Sequence, residues 1–316
     1  MRILFMGTPD FAKICLESLV ENGQNVVGVV TQSDKPKGRG HIMTPPPVKV
    51  YALEKNIPVY QPKTLRDEEF AELLKNIDPE LIVVVAFGKI LPKNVLDYPE
   101  YGCINVHGSL LPKYRGAAPI QRAIIDGEKT TGITTMYMEE GLDTGDMIEM
   151  FEIAIRPEDN FETLHDKLAE LGAYALMSAI KVIEGGNVKR YKQDDSKSTY
   201  AAKIEKADCM VDFSKRAEDL HNQIRGTSPF PLSFAYLNGK LLKFTSSFLT
   251  EKTSSAPVGT VISLEKGNIY VACGEGVLGI DGVVPEGKGR MRASDFINGR
   301  KINVNDIFVK DITGDK

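Results

Sequence analysis

The amino-acid sequence predicts an α/β protein: a doubly wound, mostly parallel Rossmann-like sheet, followed by a small C-terminal β-barrel of OB-like type. Three observations predict it. Apolar runs such as RILFMG (2–7), NVVGVVTQ (25–32) and LIVVVAFG (81–88) are hydrophobic at consecutive positions, so both faces of each strand must be covered. They alternate with stretches of helical period, the pattern of parallel strands joined by crossover helices. Beyond about residue 206 the pattern changes to short strands at close spacing with Gly-bearing turns, as in a small antiparallel barrel.

Each element follows from local signals. After Gly7, Thr8-Pro9-Asp10 opens a helical pattern, FAKICLESLVENG, that stops at Gly23; Thr8 is the expected N-cap and Pro9 lies in the first turn. NVVGVVTQ is the second strand. A helix is expected over 47–56, a short strand over PVYQP, a helix over RDEEFAELLKNID, and then the apolar strand LIVVVAFG. The sheet continues through CINVHGS, a helix over APIQRAIIDG, and the strands GITTMYM and MIEMFEIAI, which GLDTGD separates as a hairpin or bulged turn. A long amphipathic helix from 160 to about 185 ends a first domain expected over 1–186. Residues 187–206 are polar, charged and poor in apolar period, and they read as a linker. In the second domain, expected over 207–316, one helix (SKRAEDLHNQIRGTS) precedes alternating runs around Asn238-Gly239, a strong hairpin signal. No internal repeat is evident. The Gly after the first strand does not make a dinucleotide site, since GTPDFA lacks the further glycines that let a pyrophosphate approach the backbone.

Composition narrows the class. A chain of 316 residues with 42% hydrophobic and 26% charged content suits a globular protein of two domains. The net charge of −4 is unevenly spread: from Lys203 onward 16 Lys and Arg stand against 14 Asp and Glu, a mildly basic tail that points only weakly to a polyanion. Cys15, Cys103, Cys209 and Cys273 are far apart, and neither they nor the four histidines make a metal-ligand spacing, so neither disulfides nor a metal is expected. The opening MRILFMGTPD is too short an apolar run for a signal peptide and no later run approaches a membrane span; a cytoplasmic protein with no membrane role is expected.

The candidate chemistry lies in YGCINVHGSLLPKYRGAAPI (101–120) and GLDTGD (141–146). Asn105 and His107, two residues apart in a strand, leave the same face of the sheet and point at a common spot. Asp143, in a Gly-flanked turn after the next strand, is a carboxylate that could return to that spot and orient or proton-couple the imidazole. An Asn, a His and an Asp converging there, beside a Pro- and Gly-bearing loop, read as an acyl-transfer centre without a covalent nucleophile. A His near a strand end is more often a surface or core residue, and the neighbouring loop is what favours chemistry. The second candidate is the loop SDKPKGRGHIMTPPP (33–47). With Lys49 it carries Lys35, Lys37 and Arg39, with no acidic residue between Lys35 and Lys49, and it is long for a strand-to-helix connection.

These blocks resemble the folate-dependent formyltransferase family and, within it, the methionyl-tRNA branch. MGTPDFA at Met6, DKPKGRG at Asp34, PVKVYALEKNIPVYQP at Pro47, VVVAFGKILP at Val83, GCINVHGSLLPKYRGAAPIQRAI at Gly102 and GLDTGDM at Gly141 occur in the family's order over essentially the full length. The resemblance implies transfer of a formyl group from 10-formyltetrahydrofolate to the amine of initiator methionyl-tRNA, with tetrahydrofolate released and no metal or obligate protein partner. It implies that Ser109, Leu110, Leu111 and Pro112 line the folate site, that the segment of Phe87, Gly88, Lys89, Ile90 and Leu91 grips the pterin through backbone groups, and that Lys35, Lys37 and Arg39 meet the tRNA acceptor end. The chemistry agrees. Amine attack on a formyl carbon makes a tetrahedral oxyanion, for which Asn105 and His107 are donors already in place, while Asp143 keeps the imidazole charged or passes the proton on. An aminoacyl-ester amine, with a pKa near or below about 8, needs no strong base. Two rivals share parts of the pattern. A folate formyltransferase acting on a sugar-nucleotide or purine-precursor amine would keep Asn105, His107 and Asp143 without needing the basic loop or the barrel. A non-enzymatic RNA-binding protein would keep the barrel and have no reason for a convergent triad.

Overall fold

In the computed structural model, which describes residues 1–37, 42–186 and 188–311, the chain begins β1 (Arg2–Gly7), α1 (Asp10–Glu21), β2 (Asn25–Val30), a hairpin of β3 (Lys35–Lys37) and β4 (Ile42–Thr44), α2 (Pro47–Glu54) and β5 (Val59–Tyr60). It continues α3 (Glu68–Ile77), β6 (Leu81–Val85), α4 (Lys93–Leu96), β7 (Cys103–His107), β8 (Arg115–Gly116), α5 (Pro119–Ile125), β9 (Thr130–Tyr137), β10 (Met147–Ala154) and α6 (Phe161–Glu184). The chain divides into two compact units. One comprises Met1–Gly116, Thr130–Ile153 and His165–Ala201; the other comprises Ala117–Lys129, Ala154–Leu164 and Ala202–Lys316.

The first unit is built on a seven-stranded sheet of order β10-β9-β7-β6-β1-β2-β5. β1 pairs in parallel with β2 and β6, β2 with β5, and β6 with β7, while β9 joins β7 antiparallel. Ile3, Leu4, Phe5 and Met6 are all buried, as a central strand covered on both faces requires. On one face Leu4, Met6, Ile82 and Val84 pack with Phe70, Leu74 and Ile77 of α3. Burying each such side chain contributes roughly 1.5–3 kcal/mol, so this layer fixes where the strand ends lie.

Local signals set the helix boundaries. The Asp67 carboxylate accepts from Phe70 N at 3.0 Å and starts α3 two residues after Arg66, and Asp78, at φ 48°, ends it in the left-handed region. At α1 the cap differs from the expectation. Pro9 occupies the cap position with no side-chain bond. The Thr8 hydroxyl instead donates to the Phe87 carbonyl at 3.3 Å, a partner 79 residues away that strand pairing brings beside it.

In the second unit, Asn160 caps α6: its carboxamide oxygen accepts from Thr163 N at 2.9 Å and its own N–H donates to the Thr163 hydroxyl at 3.1 Å. After β11 (Tyr200–Ala201) of the first unit come α7 (Ala217–Thr227), β12 (Ser233–Leu237), β13 (Lys240–Leu249), β14 (Val261–Glu265), β15 (Asn268–Ala272), β16 (Val277–Pro285), β17 (Met291–Arg292), α8 (Ala293–Asn298) and β18 (Phe308–Val309). The antiparallel ribbon β14-β15-β16-β13-β12-β18 curls on itself, because Thr260 and Ile307 bridge its two ends. Phe213, Phe244 and Phe308 stack within it, with ring centroids 5.4–6.3 Å apart. The Asn238-Gly239 turn sits where the hairpin signal put it, with Leu237 paired to Lys240. The expected fold class, a Rossmann-like sheet followed by an OB-like barrel, is the one observed.

Candidate active site

Because β1, β2, β6 and β7 run parallel, their carboxyl ends lie along one edge of the sheet. In the order β7-β6-β1-β2 the chain goes to one side of β1 for β2 and to the other for β6, which makes this edge a topological switch point, the usual place for a ligand crevice. Thr8 follows β1, Gln32 follows β2, Phe87 follows β6 and His107 ends β7. Gln32 Nε2 and Thr8 Oγ1 both donate to the Phe87 carbonyl, at 2.8 and 3.3 Å.

β7 carries the expected pair. Asn105 and His107 share a face by strand alternation; Asn105 is half-buried, and among the described residues its side chain has no hydrogen-bond partner. His107 is 6% exposed. Its Nε2 lies 2.9 Å from the carbonyl of Tyr114, which can only accept, so the hydrogen-bond network assigns the proton to Nε2. That leaves Nδ1 as the other ring nitrogen, and Nδ1 faces Asp143 Oδ2 at 3.7 Å. Asp143 holds its place by accepting from Gly116 N at 2.8 Å and stands at φ 53°, a left-handed conformation unusual for a residue other than glycine. The structure thus brings together the three residues the sequence pattern selects: the Asn105 amide is unengaged among the described residues, and His107 lies beside Asp143.

The other candidate residues lie as follows. Phe87 has its ring in the core at 2% exposure, so only its peptide groups face the edge, and its carbonyl is already taken. Gly88 is at φ 76°, and a Cβ there would meet Gln32 Nε2 at 2.6 Å. Lys89 Nζ donates to the carbonyls of Pro62 and Lys63, Ile90 is 72% exposed, and Leu91 is buried. Ser109 is fully buried; its hydroxyl donates to Lys113 O at 2.7 Å, and its carbonyl accepts from the Thr134 hydroxyl, which in turn accepts from Leu111 N. Leu111 packs on Met136 and Met147, with Leu110 and Pro112 half-buried beside it.

The basic loop is a hairpin, with Lys35 opposite Thr44 and Lys37 opposite Ile42. Lys35 is exposed and its ammonium donates to Gln32 Oε1 at 2.7 Å. Lys37 contributes its backbone to β3, and Arg39 lies outside the described residues. Lys49 is no loose cation: it donates to both Asp34 oxygens and to Gln61 Oε1 at 2.9 Å, and hydrogen bonds from Gln61 and Lys49 hold the Asp34 carboxyl below the usual carboxylate range. Behind the hairpin is a cavity of about 190 Å³ lined by Thr8, Gln32, Ser33, Lys35 and Pro45–Pro47. Its lining does not include the triad; Thr8 and Gln32, which share the Phe87 carbonyl, link it to the loop at 87–91. In the second unit an open groove of about 620 Å³ sets Lys266, Arg290 and Arg292 against a single carboxylate, Asp281. Among the described residues no cluster of His, Cys, Asp and Glu is arranged to hold a metal ion, and no helix is long and apolar enough to cross a membrane.

Sequence reasoning missed the residues that hold the triad. Gln193 donates to the carbonyls of Asp143 and Gly145, at 2.9 and 2.8 Å, and Thr199 Oγ1 accepts from Tyr114 N at 2.8 Å. Both come from the polar segment before 206, whose few apolar residues, Val188, Tyr191, Tyr200, Ala201, Ala202 and Ile204, keep no helical or strand period.

Fold and site together define a group-transfer enzyme of the formyl transferase class: residues 1–180 match the family model described as Formyl transferase, and residues 203–301 match Formyl transferase, C-terminal domain. The chain is 50% identical over 309 residues to the methionyl-tRNA formyltransferase of Bacillus velezensis, covering 97% of each chain, and 48% identical over 308 residues to that of Bacillus subtilis, again covering 97% of each. It belongs to the methionyl-tRNA formyltransferase family. Among solved structures it is similar to WlaRD, a sugar 3N-formyl transferase crystallised in the presence of dTDP and 5-N-formyl-THF, at a TM-score of 0.67 and 20% identity, over 92% of this chain and 99% of that one. That likeness is one of fold.

Proposed function

We propose that the protein transfers the formyl group of 10-formyltetrahydrofolate to the free α-amine of initiator methionyl-tRNA, giving N-formylmethionyl-tRNA for translation initiation and releasing tetrahydrofolate. The chemistry rests on one observation: an unengaged amide, Asn105, stands on the same strand face as an imidazole whose free nitrogen looks at a carboxylate. The near-full-length likeness to the Bacillus enzymes supports the choice of substrate.

The amine attacks the formyl carbon. The Asn105 N–H stabilises the oxyanion from a side chain carried on the paired strand β7. The proton lost by the amine reaches His107 Nδ1, where Asp143 lies close enough to stabilise the imidazolium and the Tyr114 carbonyl keeps the ring from turning. That proton then goes to the nitrogen of tetrahydrofolate as its bond to the formyl carbon breaks. In this scheme the loop at 87–91 and the loop at 109–112 receive the folate, and the cavity behind the hairpin seats the aminoacyl end. Lys35, Lys37 and Arg39 meet the acceptor stem, and the cationic groove of the second unit offers a further surface for RNA phosphates. We assign the chemistry to 1–186 and RNA binding to 207–316, and place the enzyme in the cytoplasm, where its two substrates occur.

Purified protein with 10-formyltetrahydrofolate and an equal choice of initiator methionyl-tRNA, elongator methionyl-tRNA and an amino-sugar nucleotide tests this. Formylation of initiator methionyl-tRNA in preference to both others is the expected result. Preference for the sugar amine would overturn the substrate and leave the reaction class standing.

A further inference from the structure

The segment at 188–201 lies along the first unit as a strap tied at five points. The Arg190 guanidinium sits 3.8 Å from the centre of the Tyr137 ring, Tyr191 bridges Met147, Gln193 grips the turn that carries Asp143, Thr199 holds Tyr114, and Tyr200-Ala201 pairs with Arg115-Gly116. Two of these ties end on the partners of His107. The Tyr114 peptide, whose carbonyl accepts from His107 Nε2, donates its N–H to Thr199. Asp143, which faces His107 Nδ1, has its own carbonyl held by Gln193.

Gln193 is the central tie. It is 6% exposed, and its carboxamide is fully used: both N–H groups donate to the turn, and its oxygen accepts from Arg115 Nε and Nη2, at 3.0 and 2.8 Å. Arginine only donates, so the amide can sit only with its oxygen toward Arg115 and its nitrogen toward the turn. Arg115 is itself fixed by Asp195 at 2.6 Å. The turn requires such a clamp. Asp143 stands in the left-handed region without being glycine, a conformation that persists only where its surroundings enforce it. At Gly145 a Cβ would fall 1.9 Å from the Tyr137 carbonyl, so the turn is pressed against β9 and has little freedom to settle another way.

We propose that Gln193 is a positioning residue of the transfer site: by holding the peptide carbonyls of the 143–145 turn, it sets the placement of the Asp143 carboxylate against His107. The inference rests on the assignment of Asp143 and His107 to the site. Gln193 touches neither substrate nor the reacting atoms; it acts through Asp143.

The experiment uses the full-length protein and steady-state formylation of initiator methionyl-tRNA across a pH series, for the parent, Gln193→Met, Gln193→Ala, Asp143→Asn and the double variant Gln193→Met with Asp143→Asn. Gln193→Met keeps the side-chain volume and removes the hydrogen bonds, so it is the variant to read if Gln193→Ala does not fold. The expected loss for Gln193→Met is about tenfold or more in kcat, the scale on which small misplacements act, with KM for both substrates within about twofold of the parent and an altered pH profile of kcat. In the Asp143→Asn background the same change should cost less than about twofold, because the two residues act as one unit. A parental kcat for Gln193→Met, a loss seen in KM alone, or losses that multiply in the double variant would each overturn the inference. If Asp143→Asn itself runs at the parental rate, the site assignment fails rather than this extension of it.

Discussion

Asn105 has the plainest consequence of any single residue. Its side chain makes no hydrogen bond among the described residues, so Asn105→Ala breaks no hydrogen bond of the fold. Its loss should therefore appear in the transition state. The expected outcome is a fall of about 100-fold in kcat with little change in KM or in melting temperature. A variant within a few-fold of the parent would remove Asn105 from the oxyanion. Asp143→Asn should also lose rate, and because its Oδ2 takes the Gly116 N–H as well as facing His107, some loss of stability should accompany it. The cation at Lys49 illustrates the limit of counting charges. In sequence it joins a basic loop, whereas in the fold Asp34 and Gln61 satisfy it, and composition cannot say which of several cations meets an acid from its own chain.

At the scale of elements, the apolar strands were legible because period and content agree, and so was the strand that presents Asn105 and His107. The strap at 188–201 was not. It is held by side-chain bonds, by a cation–π contact, by the backbone bridge of Tyr191 to Met147 and by a two-residue parallel pairing, none of which leaves a hydrophobic period, so its composition reads as a tether. The β3–β4 hairpin was hidden for a similar reason: its strands are three residues long and lie within a Pro- and Gly-rich loop. Gly226 of α7 faces α5 so closely that a Cβ would stand 2.7 Å from Ile125 Cγ1 and 3.2 Å from the Gln121 carbonyl. Gly226→Ala gains about 1 kcal/mol of helix propensity, but overpacking of this kind costs about 1–3 kcal/mol, and the backbone carbonyl cannot yield. Thermal unfolding should therefore show a lower midpoint; a raised midpoint would mean that the two helices separate easily. His221, on the same helix, is held below the usual imidazole pKa by burial first and by Arg225 next, while its Nδ1 meets the Ser247 hydroxyl. The unfolded chain then binds more protons than the folded one as pH falls below about 6.5, so stability is complete above that value and is lost toward the depressed folded value. His221→Gln should flatten this slope. Equal pH dependence of melting in parent and variant would contradict the assignment.

At the scale of the whole molecule, the doubly wound sheet and the barrel were foreseeable from pattern, but the order of strands in the sheet and the composition of each compact unit were not. α5, which the sequence sets between β7 and β9, and the stretch Ala154–Leu164, which leads from β10 into α6, belong with the second unit. Chain proximity is the only guide composition offers there, and packing overrides it: Ile120, Ala123 and Ile124 of α5 are buried, and Gly226 of α7 admits α5 at a distance no other residue allows. The central claim is that one sheet edge performs direct formyl transfer, with Asn105 and the His107–Asp143 pair acting without a covalent protein intermediate. Rapid-quench single turnover with radiolabelled formyl on the folate tests it most directly. The label should pass straight to initiator methionyl-tRNA at the rate tetrahydrofolate appears, with none on the protein at any time, and that rate should fall about 100-fold in Asn105→Ala. A burst of protein-bound label that decays as formylmethionyl-tRNA forms would contradict the account.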